Sequence, residues 1–93
     1  MRSFEAVFGI PADHRLELVK SRIRGGLIRA EYWRHEEFDV RGTLVAEYES
    51  FSELDPTSGA VNSGWRRYNP DGSLTESHDE LPEPFADLLA PAA

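Results

Sequence analysis

Between Trp33 and Leu74 the chain contains one strand-and-turn unit written twice, and this repeat limits the fold more than any other feature. The first copy reads Trp33-Arg34, then Phe38-Asp39-Val40-Arg41-Gly42-Thr43-Leu44; the second reads Trp65-Arg66, then Tyr68-Asn69-Pro70-Asp71-Gly72-Ser73-Leu74. Each runs Trp-Arg, an aromatic, Asp or Asn, two free positions, Gly, a small hydroxyl residue and Leu. The first copy holds an extra pair within Glu36-Glu37. Strand side chains alternate with period two, so an insertion of two leaves each side chain on its original face.

Both turns read as type I turns closed by a glycine bulge, a short connection that joins antiparallel neighbours. Pro70 presets φ at the second turn position, and Asn69 is suited to bonding the turn backbone. This geometry predicts Phe38 across from Leu44 and Tyr68 across from Leu74. Strands are expected over 27–38, 43–54, 60–69 and 73–78, with Asp55-Pro56-Thr57-Ser58-Gly59 as a loop of turn formers around which the third and fourth strands pair with Glu47 opposite Arg67, Ala46 opposite Tyr68 and Glu49 opposite Trp65.

Residues 13–24 admit two readings. Asp13 can cap a helix through Leu16, Val19, Lys20 and Ile23, stopped by Gly25. Alternatively Arg15 to Arg24 is a strand turned by Gly25-Gly26, with Ile23 opposite Ile28, Val19 opposite Tyr32, Lys20 opposite Glu31, Glu17 opposite Arg34 and Arg15 opposite Glu36. The strand is preferred because one register yields apolar and opposite-charge pairs together. Upstream, Phe4, Val7, Phe8 and Ile10 form either a short amphipathic helix or an irregular apolar flap.

The expected architecture is mainly β: a small single domain, a twisted antiparallel meander of four to five strands whose apolar face is covered by short terminal segments. Residues 1–14 form an N-terminal flap, 15–78 the sheet, and 79–93 an acidic, proline-containing tail in which Phe85, Leu88 and Leu89 have the spacing of one helical turn. At the turns, Phe38 to Leu44 and Tyr68 to Leu74 resemble the Tyr-Asp-x-x-Gly-x-Leu pattern of YD-type repeats and of MORN-like hairpin repeats. The resemblance implies hairpins and no function.

Composition bounds the chemistry. There is no cysteine among 93 residues, which excludes disulfides and thiolate metal sites. The formal charge of -7 argues against a nucleic-acid binder. No stretch reaches membrane-spanning length, and Glu5 and Pro11 break the N-terminal apolar run, so a soluble cytoplasmic protein is expected. His14, His35 and His78 have no metal-ligand spacing, the glycines that end the turns form no phosphate loop, and no cofactor is expected.

In the expected register Val19, Ile23, Ile28, Ala30, Tyr32, Phe38, Leu44, Ala46, Tyr48, Tyr68 and Leu74 share the core face. The other face then collects Trp33, His35, Glu37, Val45, Glu47, Glu49, Phe51, Trp65 and Arg67. Aromatics beside arginine are the material of interface hot spots. The expectation is therefore a small non-enzymatic module that binds a protein partner through Trp33, His35, Glu47, Glu49, Trp65 and Arg67. One alternative is an acidic, phage-type inhibitor that mimics nucleic acid. Another is a ligand or enzyme pocket using His35, Glu47 and Arg67. Pairing through a sheet edge or the tryptophan face would make a homodimer.

Overall fold

The structure, a computed structural model, describes residues 3–25, 29–55 and 57–79. A five-residue helix α1 (Phe4–Phe8) precedes strands β1 (Arg15–Arg24), β2 (Arg29–Phe38), β3 (Leu44–Leu54), β4 (Val61–Tyr68) and β5 (Leu74–His78). The strands lie in chain order in one open antiparallel sheet. The mainly β meander is thus the observed fold, and residues 15–24 are a strand. The helical turn expected near Phe85 lies outside the described residues, as do Ile28 and the Gly26 half of the expected Gly-Gly turn.

The two copies of the repeat fold alike. In the first, the Gly42 N–H donates to the Asp39 carbonyl at 2.9 Å and the Asp39 N–H to the Thr43 carbonyl at 3.0 Å; in the second, Gly72 to Asn69 and Asn69 to Ser73 are both 2.8 Å. Gly42 and Gly72 have φ of 81° and 90°, a region that L side chains avoid. Asp39 Oδ1 accepts the Arg41 and Thr43 amides in one turn, and Asp71 Oδ1 accepts the Ser73 amide and hydroxyl in the other. Asn69 reaches the Ser73 hydroxyl with its side chain, so Asp71 takes the backbone role expected of Asn69. Phe38 faces Leu44 and Tyr68 faces Leu74, as the turn type requires.

Immediately past each leucine the ladder skips a residue. Glu37 pairs with Ala46 although Phe38 pairs with Leu44, which leaves Val45 bulged. Arg67 pairs with Glu76 although Tyr68 pairs with Leu74, which leaves Thr75 bulged. A bulge changes the parity of everything beyond it. Three sequence expectations of pairing also give way, the β3–β4 one along a ladder that is itself unbroken. β3 and β4 pair one step from the expected register, with Glu47 opposite Tyr68 and Ser50, not Glu49, opposite Trp65. β1 pairs Arg15 with Phe38 and Arg24 with Ala30, around a further bulge at Val19. Arg24 opposite Ala30 is not the register of a two-residue Gly25-Gly26 turn, which would set Arg24 opposite Leu27.

The two face lists are redistributed as a result. Trp33, His35, Glu37 and Trp65 stay together, but Ala46, Tyr48, Ser50 and Ser52 join them, and all eight are buried. Tyr32, Tyr68 and Phe51 lie on the opposite side with Glu47 and Glu49. Ile23 and Leu74, expected in the core, are 77% and 54% exposed. α1 covers the tryptophan side. Ser3 caps it by accepting the Ala6 amide at 3.2 Å, and Gly9, at φ 70°, ends it. Phe8 stacks flat on Tyr48 with ring centres 4.3 Å apart and meets Trp65 at 5.0 Å; Phe4 reaches Trp33 at 5.2 Å and His35 at 4.5 Å. Of the helix and flap readings, the helix is correct.

Candidate functional site

Cross-strand neighbours build the sheet as rows. On the covered side Ser21, Trp33, Ser50, Trp65 and His78 run side by side across all five strands. Ser50 is the small residue that lets two indoles flank one position, and His78 stacks on Trp65 at 4.1 Å. The next row places Leu18, His35, Tyr48, Arg67 and Glu76 together.

Polar groups under α1 form a chain. The Glu37 carboxylate, 3% exposed, meets His14 Nδ1 at 2.5 Å and accepts the Tyr48 hydroxyl at 2.6 Å. Arg67 Nε donates to that same phenol oxygen at 3.2 Å and its terminal nitrogen to the Thr75 hydroxyl at 3.1 Å. Thr75 in turn donates to the Arg67 carbonyl, which ties the bulge to the arginine. Burial, helped by the Glu37 bond, pushes the Tyr48 phenol up to about 12. The arrangement holds a proton on the phenol and serves as an internal tie between β2, β3 and β4.

His35 stands apart from this chain. Its Nδ1 is buried with no hydrogen-bond partner among the described residues, and the ring lies among Phe4, Phe8 and Tyr48. Desolvation lowers its pKa, with the Glu5 carboxylate acting weakly the other way. The nearby Glu37 carboxylate is engaged by His14 and Tyr48.

The opposite side is organised differently, and no described element packs on it. One row carries Glu17, Glu36, Glu47 and Tyr68; the next carries Lys20, Arg34, Glu49 and Arg66; the next carries Arg22, Tyr32, Phe51 and Gly64. An acidic, a mainly basic and an aromatic row thus lie in sequence. Arg34 donates to Glu47 at 2.8 Å across the first two rows, and this bond raises its already high pKa. Tyr68 donates to Glu49 at 3.3 Å; desolvation first, then that carboxylate, raises the phenol's pKa. Guanidinium groups lie over rings, Arg22 on Tyr32 at 5.3 Å and Arg66 on Phe51 at 5.5 Å. Lys20, Arg22, Arg34, Arg66, Tyr32 and Phe51 border a groove of about 340 Å³, with the Glu49 carboxylate also in its lining.

Gly64 makes the aromatic row possible. A Cβ built there would lie 2.5 Å from the His78 carbonyl oxygen and 3.1 Å from the Phe51 ring. Phe51 therefore lies over a bare backbone position, and Arg66 over Phe51. Sequence reasoning passed over Gly64, although a glycine inside a strand signals a close approach of this kind.

Of the six residues expected at the site, Trp33, His35, Trp65 and Arg67 share the covered side, where the first three are buried. Glu47 and Glu49 lie on the open side. His35 and Glu47, two members of the expected pocket, are on opposite faces of the sheet. Lys20, Arg22 and Arg66 were missed; the signal was available in the strand register, which brings them beside Tyr32 and Phe51. Among the described residues no group of three or more His, Asp or Glu is placed to hold a metal, and no helix is long and apolar enough to cross a membrane. Compared with protein families, curated proteins and solved structures, the chain matches none.

Proposed function

We propose that this is a small non-enzymatic binding module that engages a protein partner through the open side of its sheet. The observation that supports this reading is the asymmetry of the two faces. α1 closes the tryptophan side, whereas the other side presents acidic, basic and aromatic rows with no described element over them. Arginine and aromatic side chains are over-represented among residues that carry binding energy, and a sheet fixes their spacing before the partner arrives. Of the residues expected to bind, Glu47 and Glu49 contribute directly in this reading. Trp33, His35 and Trp65 act from beneath by holding β2, β3 and β4 in register, and Arg67 through Tyr48.

A photo-crosslinking residue placed at Phe51 should capture a discrete protein in lysate of the source cells, and the same residue at Glu5 on α1 should not. Adding Arg66→Glu to the Phe51 probe should abolish the capture. Capture from the Glu5 position alone would overturn the assignment of the open side.

A further inference from the structure

We infer that the groove beside β1 takes a carboxylate-rich peptide segment of the partner. This rests on the binding-module reading and adds the chemistry of what is bound. Three cations at the groove are uncommitted or weakly committed. Among the described residues Lys20 and Arg22 have no carboxylate ion-pair partner, and Arg66 has an ion pair only with Asp79, 92% exposed and 4.0 Å away; Glu49, its cross-strand neighbour in the groove, accepts from Tyr68. At that distance, with Asp79 so exposed, the Arg66 guanidinium stays available to another carboxylate. Arg34 is held by Glu47 and anchors the row.

The aromatic rings decide the type of anion. A guanidinium lying over a ring keeps its in-plane N–H donors directed outward, in the fork that matches a carboxylate bidentately. Because Arg22 and Arg66 occupy positions over Tyr32 and Phe51, those ring faces are not free to stack nucleobases, which single-stranded nucleic acids require. The chain's formal charge of -7 also disfavours a long polyanion. A short acidic segment escapes that penalty, because charges farther than about 8 Å are largely screened at physiological ionic strength. From Lys20 on β1 to Arg66 on β4 is three strand spacings, about 14 Å. Roughly four extended residues cover that distance.

The test is a titration of the full ¹⁵N-labelled chain with a capped hexaglutamate peptide, followed by amide and arginine Nε resonances. Hexaglutamine and a twelve-residue thymidine oligonucleotide serve as the neutral and phosphate probes. Hexaglutamate should shift Lys20, Arg22, Phe51 and Arg66, hexaglutamine should not, and Arg22→Ala with Arg66→Ala should weaken binding at least tenfold while amide dispersion is kept. Lys20→Gln with Arg22→Gln, both on an edge strand, provides a second variant if the first unfolds, with a loss of at least fivefold expected. Arg41→Ala, in a turn outside the groove, should bind like the parent. No shift with hexaglutamate, undiminished binding in the variants, or tighter binding of the oligonucleotide would overturn the inference, leaving the open side as a docking face for other chemistry. Shifts confined to α1 and the tryptophan side would overturn both.

Discussion

Tyr48 is the residue through which the covered side is tied together, since one phenol oxygen both donates to Glu37 and accepts from Arg67. Tyr48→Phe keeps the stack on Phe8 but leaves a buried carboxylate oxygen and a guanidinium N–H short of a partner. Such losses cost about 1–3 kcal/mol, which urea denaturation should resolve. His35 makes the opposite point, a buried imidazole kept neutral by its surroundings. Its folded pKa lies below the ordinary 6.5. As pH falls through 6.5 toward that lower value, the unfolded chain binds a proton that the folded chain refuses, so stability is present above this window and is lost within it. Thermal midpoints of the parent should fall more steeply from about pH 7 to about pH 5 than those of His35→Leu, whose other titrating groups are unchanged. Equal slopes would show that His35 titrates normally.

At the level of elements, α1 and Gly64 each permit a sharp expectation. Phe8→Ala removes the ring that closes over Tyr48 and Trp65 and should cost about 3–5 kcal/mol, with tryptophan emission moving to the red. Gly64→Ala brings a methyl group against the His78 carbonyl, a backbone atom that cannot rotate away. A loss of about 1–3 kcal/mol is expected, with hydrogen-exchange protection over 74–78 lost first. These elements also mark how far the sequence was legible. The strands, their order and both glycine turns follow from local chemistry, because Asp39, Gly42, Asn69 and Gly72 act within their own turns. The faces do not, because Val45 and Thr75 are ordinary strand residues whose bulging depends on a partner strand. The unread bulge at Val45 moved Glu47, Glu49 and Phe51 to the other side of the sheet, so the six expected site residues were divided between two faces. Trp33 and Trp65 did reveal their kinship, since both flank Ser50.

The molecule measures 46 by 27 by 19 Å along its principal axes, and among the described residues α1 covers one side of the sheet and no element covers the other. β1 and β5 are both edges, and β1 is long and displays Leu18, Val19 and Ile23. The bulge at Val19 and the charges at Lys20, Arg22 and Arg24 are the devices that discourage another strand from adding there. Lys20→Thr with Arg22→Thr should therefore raise concentration-dependent association, read by sedimentation velocity.

The strand order, which simply repeats the chain order, also has a kinetic meaning. Each ladder closes through a short connection and needs little loop entropy, whereas α1 must return to β3 and β4 from far along the chain. The sheet should assemble first, by hairpins, and the helix should settle on it after the rate-limiting step. Phe8→Ala would then hasten unfolding in stopped-flow experiments while leaving the refolding rate nearly untouched, whereas Gly42→Val, at a turn that starts a hairpin, would slow refolding itself.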